Sequence, residues 1–283
     1  MNAQSTLLPM EDPEIIALEP QPFPCLNSRR LVGDPVDVVT GANTDVTVDF
    51  RLHGPLPLRW LRYYNSARHA VACALGWGHT HDYDRTLTYD LEGLRYTDPF
   101  GSHVAFPPLE VGENAANAGL LLRRVNLKTY ELVQAGQPVQ GFEFSDSSDT
   151  APLRRLWQKE AEINFRYGAD GRLCEIVDSL RRSIIVESDR DGRILGLFLI
   201  DAAAPGKRRV LMVYEYDKTG NLVAGRDLYN ATLRFRWDQR NRMTCRIDRR
   251  GYSFHFAYDE EGRCVHSRGD DGLLEVSPIS SPT

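Results

Sequence analysis

The chain has almost no lysine: Lys128, Lys159, Lys207 and Lys218 are the only ones among 34 basic residues, set against 39 acids and a net charge of −5. So slight an acidic excess gives no basis for a nucleic-acid or anionic-membrane partner. Long apolar runs are missing as well. The longest, around Ile194–Ile200, is strand-sized and far short of the ~18 residues that span a bilayer, so no membrane insertion is expected. No Lys or Arg precedes Arg29, whereas a signal peptide needs a basic n-region. A cytoplasmic location in the producing cell follows, with any export left to a dedicated secretion system. Cys25, Cys73, Cys174, Cys245 and Cys264 are scattered, odd in number and without a CxxC pair. That argues against a disulfide framework or a zinc site and for reduced, mostly buried thiols.

Catalytic signatures are also lacking. There is no GxSxG, HExxH or P-loop. His79-Thr80-His81-Asp82 places two imidazoles on one face of a strand, but no third ligand is marked. Asp189-Arg190-Asp191-Gly192 hints at a calcium loop, yet an EF-hand needs more acids in series and a distal Glu. Ser253 and His255 lie close together with no carboxylate indicated. No catalytic residue, metal or cofactor is assigned, and the chain is not expected to be an enzyme.

What is present is β pattern. Residues 1–30, with Pro9, Pro13, Pro20, Pro22 and Pro24, read as a flexible acidic arm, and 277–283 as a Ser/Pro tail. Between them lie an N-terminal β domain over 31–160 and a repeat over 161–276. Val36, Val38, Thr40 and then Val46, Val48, Phe50 alternate around a Thr40–Asn43 turn. Leu58 to Tyr64, His79 to Leu87 and Gly93 to Thr97 are further strands. Only Leu120–Leu132 and Pro152–Glu162 leave room for a short helix.

The repeat is anchored on Gly171, Gly192, Gly220, Asn241 and Gly262, spaced by 21, 28, 21 and 21 residues. A polar insertion around Ala202–Arg209 accounts for the 28. Four residues before each anchor stand Tyr167, Ser188, Tyr216, Trp237 and Tyr258, and three before stand Gly168, Asp189, Asp217, Asp238 and Asp259. Leu233-Arg-Phe235-Arg-Trp237 alternates strictly, as a half-buried strand does. Asp suits the first position of the following turn, and Gly or Asn its fourth, where φ is positive. Two strands and two turns use about 21 residues, so each unit is a hairpin. The arginines on the outer face, Arg234 and Arg236, are expected to form cross-strand ion pairs with Asp217, Asp227, Asp238 and Asp248. Tyr167, Tyr216, Trp237 and Tyr258 are expected to point inward.

These units resemble the YD repeats of Rhs proteins, most closely at Tyr216-Asp217-Lys218-Thr219-Gly220-Asn221-Leu222 and Tyr258-Asp259-Glu260-Glu261-Gly262-Arg263-Cys264. Gly33-Asp34-Pro35-Val36-Asp37-Val38-Val39-Thr40-Gly41, Pro55 to Ser66 and Leu75-Gly76-Trp77-Gly78 extend the resemblance upstream, so that it covers roughly 33–270. The resemblance implies an all-β fold: serial antiparallel hairpins in a large curved sheet, part of a shell that encloses a toxin and is often delivered by a type VI secretion system. Related shells occur in insecticidal toxin complexes. The chain departs from the family in showing no PAAR-like tip, no self-cleaving aspartyl site and no toxin domain. It therefore reads as the first wall of a shell. The alternative is a module that binds a glycan or protein at a cell surface through exposed aromatics.

A run of hairpins leaves open edges, and each repeat buries its face only against neighbours. The expected partner is a downstream shell or toxin polypeptide, or a second copy joined through the open edge, covering either that edge or the apolar face.

Overall fold

The computed structural model describes residues 31–32, 36–37, 40–200, 207–270 and 272. The arm, the tail, Gly33-Asp34-Pro35, Val38, Cys25 and most of the 202–209 insertion lie outside the described residues. The described chain is β throughout, apart from one 3-10 turn at Ser66–Arg68.

The N-terminal strands are β1 (Leu31–Val32), β2 (Val36–Asp37), β3 (Thr44–Leu52), β4 (Leu58–Asn65), β5 (Ala72–Cys73), β6 (Gly76–Trp77) and β7 (His79–His81). β3, β4 and β7 form a three-stranded sheet. Between β2 and β3, Gly41 adopts φ +69° and its N–H returns to the Asp37 carbonyl, which closes the expected turn. The alternation read in β3 does not hold. A bulge at Asp49 shifts the register between Val48 and Phe50. Val48 is therefore exposed, while Asp49 and Phe50 are both buried, because a bulge adds one residue and re-aims the side chains beyond it.

Eighteen strands then make one antiparallel sheet. Its first part is β8 (Thr86–Asp90), β9 (Gly93–Thr97), β10 (His103–Phe106), β11 (Asn114–Asn117), β12 (Leu120–Arg124), β13 (Thr129–Gln134), β14 (Val139–Glu143) and β15 (Thr150–Gln158). β15 divides its partners. Thr150–Pro152 pair with Thr86–Thr88 of β8, while Arg155–Gln158 pair with the next strand, and β14 lies along the other side. These eight strands thereby close on themselves. Leu87, Leu94, Tyr96, Leu122, Leu132, Phe142 and Leu153 are buried.

No helix forms at Leu120–Leu132 or Pro152–Glu162. Leu120 and Leu122 are buried and Leu121 is not, a period of two that a helix cannot satisfy. The Asn126 side chain accepts from the N–H groups of Lys128 and Thr129, turning the chain between β12 and β13. Pro152 lacks an N–H, and its neighbour Leu153 donates to the Arg85 carbonyl instead.

The sheet crosses residue 160 without a break into the repeat: β16 (Ala161–Tyr167), β17 (Leu173–Asp178), β18 (Ser183–Ser188), β19 (Ile194–Ile200), β20 (Arg208–Tyr216), β21 (Leu222–Asp227), β22 (Thr232–Trp237), β23 (Met243–Ile247), β24 (Ser253–Tyr258) and β25 (Cys264–Gly269). Each pairs with the next. The described pairings give β25 one partner, β24.

The apolar face of the repeat is covered by the chain's own N-terminal strands. Phe50, Leu58, Trp60, Tyr64 and Tyr83 share one core with Phe165, Ile184, Leu197, Tyr214, Phe235 and Phe256. That corrects the expectation of another chain on this face and confines the partner argument to the edge. Of the described cysteines, all free, Cys245 and Cys264 are buried, but Cys73 is half-buried and Cys174 exposed.

Candidate functional site

The repeat builds one turn many times. In the five turns that carry the anchors, the N–H of Gly171, Gly192, Gly220, Asn241 or Gly262 donates to the carbonyl three residues back. All five residues have positive φ, between 58° and 90°. The Asp217 carboxylate accepts from the N–H groups of Thr219 and Asn221, and Asp238 from those of Arg240 and Arg242. The opposite ends of the strands reuse the device at Asp178, Asp227 and Asp248. Asp217, Asp227, Asp238 and Asp248 are thus turn caps, not cross-strand partners of Arg234 and Arg236. Cross-strand pairs do form earlier, at Arg155–Glu162 and Arg166–Glu175.

The aromatic residues before the turns are half-buried, and each points its polar tip at a carbonyl. Tyr167 Oη donates to Leu153 at 2.8 Å, Tyr216 Oη to Ile194 at 2.7 Å, Trp237 Nε1 to Leu222 at 2.7 Å and Tyr258 Oη to Met243 at 2.8 Å. The last three acceptors share one position, two residues after the turn residue of the preceding unit. A register shift precedes each of Tyr167, Ser188, Tyr216, Trp237 and Tyr258. Five identical bulges give every unit the same added twist.

The N-terminal strands run along this row of turns in reverse order. The Cys264 N–H donates to the Gly41 carbonyl, Met243 N–H to Tyr64 Oη and Ile194 N–H to the Ala74 carbonyl. Trp77 Nε1 donates to the Thr219 carbonyl at 2.7 Å. Gly76 lies so near that a Cβ there would sit 2.8 Å from the Gly220 carbonyl oxygen. Tyr64 and His79 both meet the Trp237 ring edge-on.

At the centre of this seam is a buried charge cluster. Arg62, 1% exposed, holds Asp49 through two N–H···O contacts of 3.2 Å. Tyr214 Oη donates to Asp49 at 2.6 Å and accepts from Trp60 Nε1 at 2.9 Å. Arg249 comes within 3.9 Å of Asp49 and pairs with Asp227 at 3.0 Å. Burial opposes the charge on Arg62, but the Asp49 carboxylate overcomes it and its pKa is raised. Burial and the same carboxylate push the Tyr214 hydroxyl well above its ordinary range. No sequence signal marked Asp49 or Tyr214. The bulge that aims Asp49 inward interrupts an otherwise ordinary alternating strand.

The other candidate chemistry disperses. His79 is packed among Tyr64, Phe235 and Trp237, and His81 stacks on Trp60. Burial, aided for His79 by the Arg62 guanidinium, lowers the pKa of both imidazoles. Among the described residues no group of three His, Cys, Asp or Glu side chains gathers. Burial opposes ionisation of Asp189, yet the Arg193 backbone and guanidinium overcome it and hold the carboxyl below its usual range, as part of a turn. Asp270 supplies the carboxylate that the sequence did not indicate near Ser253 and His255. It accepts from the Ser253 N–H and meets His255 Nε2 at 3.1 Å on an exposed edge. No described hydrogen bond joins the Ser253 hydroxyl to that imidazole.

A family model described as a domain of unknown function (DUF6531) matches residues 33–106, the strands from β2 to β10. Over 254 residues, 86% of the chain, there is 26% identity to the Burkholderia cenocepacia (strain H111) protein named double-stranded DNA deaminase toxin A. An alignment of that extent takes in the hairpin repeat as well as the N-terminal strands. Both matches agree with the resemblance of the repeat and its upstream motifs to Rhs proteins. The chain spans 18% of the length of that relative. Two solved structures also align with it. The crystal structure of TcdB2-TccC3-TEV gives a TM-score of 0.35 at 11% identity, covering 81% of this chain and 15% of the other. The Photorhabdus luminescens Tc holotoxin pore gives 0.36 at 10% identity, with coverage of 75% and 15%. No helix among the described residues is long and apolar enough to cross a membrane.

Proposed function

We propose that this chain is a non-catalytic wall segment of a toxin-enclosing β-shell, completed by further polypeptide along β25. The observation that carries this is the asymmetry of the repeat sheet. Its inner face is sealed by the chain's own N-terminal strands, while β25 has β24 as its one described partner. An unpaired strand is a template for another, and a hairpin repeat supplies the same edge after every unit. The resemblance of 86% of the chain to a protein named as a toxin supports that setting. The aromatic side chains of the repeat support a wall over a glycan-binding face, because they point into the seam and spend their polar tips on carbonyls. Delivery by a type VI secretion system belongs to the same proposal.

The test is light scattering with amide exchange on the chain at rising concentration and with the polypeptide encoded next to it. Association should protect the amides of Cys264–Gly269 and leave those of β16–β23 unchanged. A chain that stays monomeric at millimolar concentration, with β25 amides unaffected by either partner, overturns the reading.

A further inference from the structure

Four of the five repeat units place an aromatic ring in a cradle. One does not, and its cradle is still built. In every unit the residue four before the turn residue follows the same bulge and pairs with the residue two after it: Tyr167 with Leu173, Ser188 with Ile194, Tyr216 with Leu222, Trp237 with Met243 and Tyr258 with Cys264. Ser188 is therefore the structural equivalent of three tyrosines and a tryptophan.

Each cradle of the later units has two recurring parts. One is the carbonyl two residues past the previous turn residue, which receives the ring's polar tip: Ile194 for Tyr216, Leu222 for Trp237 and Met243 for Tyr258. The other is an arginine one residue past that turn residue, lying over the ring. Arg193 stands 5.4 Å from the Tyr216 centroid and Arg242 4.7 Å from that of Tyr258. The Trp237 unit has Asn221 there instead.

For the Ser188 unit the same rule names the Leu173 carbonyl and Arg172. Both are present. Arg172 reaches forward to the carbonyls of Asp189 and Arg190 at 2.8 and 2.9 Å, as Arg242 reaches the Asp259 carbonyl at 3.2 Å. Where the ring would lie there is a cleft of about 720 Å³, whose walls include Arg172, Leu173, Ser188, Gly192, Ile194 and Ala74.

We propose that this cleft is a binding site for a tyrosyl side chain of another polypeptide segment, its ring under the Arg172 guanidinium and its hydroxyl donating to the Leu173 carbonyl. A guanidinium over a ring face and a hydrogen bond from the ring's polar tip are the interactions that hold the sister residues. Ser188 has no ring with which to take up either.

The probes are N-acetyl-tyrosinamide and N-acetyl-phenylalaninamide, titrated into the full chain and followed by amide shifts. Saturable shifts should centre on Leu173, Ser188 and Gly192, with the tyrosine probe bound about two- to tenfold more tightly, the contribution of one net hydrogen bond. Ser188→Tyr should abolish binding and raise the melting temperature by completing the ladder. Arg172→Met, which leaves the turn backbone in place, should weaken the tyrosine probe severalfold. No saturable shift with either probe, equal affinity for both, or unchanged binding in R172M overturns the proposal.

Discussion

The closed ring of β8–β15 and the repeat of β16–β25 are both serial hairpins, yet they reach regularity differently. In the repeat one Asp-capped turn recurs at both ends of the strands, so register and bulge recur with it. In the ring each turn is a separate solution: Ala118-Gly119 both at positive φ, an Asn126 cap, an open Gly136. The ring obtains its order from closure, through Thr150–Pro152 on β8. The repeat obtains it from the seam with β3–β7. A sheet with uniform turns still needs a partner for its apolar face, whereas a closed sheet supplies its own.

The sharpest way to break that contrast is at the seam. Asp49→Ala leaves Arg62 buried without its carboxylate, and should destabilise by about 3–5 kcal/mol in urea unfolding. A loss no larger than that of an exposed ring variant would mean that the cluster does not hold the two halves. Trp237→Ala removes a ring packed on Tyr64 and His79 and should cost about 3 kcal/mol, the low end for a buried aromatic, because the side chain is half-exposed. An unchanged melting temperature would refute that placement. Paired glycine variants compare the regions directly. Gly136 has open space around it, so Gly136→Ala should cost only the about 1–2 kcal/mol of a left-handed residue. Gly76→Ala meets Gly220 and Leu222 backbone and should cost more than Gly136→Ala.

The most gradual effect is acid loosening of the seam. His79 and His81 are buried with lowered pKa, so the unfolded chain takes up protons near pH 6.5 that the folded chain refuses. Stability should be fully present above that pH and fall as pH drops below it, by up to about 1.4 kcal/mol per unit for each imidazole. His79→Phe should flatten the slope measured by urea unfolding across the mildly acidic range. An identical slope would place the proton uptake elsewhere.

The same contrast governs what could be read from the amino acids alone. Asp and Gly recur every 21 residues because a tight turn admits few alternatives, so the hairpins, the anchor positions and the all-β class were legible. The ring closure was not, since nothing in Thr150-Ala151-Pro152 distinguishes a strand shared between two partners from an ordinary one. The Leu120–Leu132 stretch looked open to helix because its apolar residues cluster, and only burial reveals the period of two. The cover over the apolar face was hidden because it depends on one bulge at Asp49 and on a reversed path along the turns. Ser188 was visible as an exception, but its meaning required the cradles of its neighbours.

The reversed path also sets an order in time. Contacts across the seam join residues 154, 179 and 215 positions apart, at Trp60–Tyr214, Tyr64–Met243 and Asn43–Tyr258. On the ribosome, β3 and β4 emerge before β20–β25 and wait for them, and the ring, whose pairings are mostly local, has its partners earlier. Such long loops close slowly, so the N-terminal strands are exposed the longest during synthesis, and each new hairpin seals one more step of their length from the Ala74 end toward Gly41.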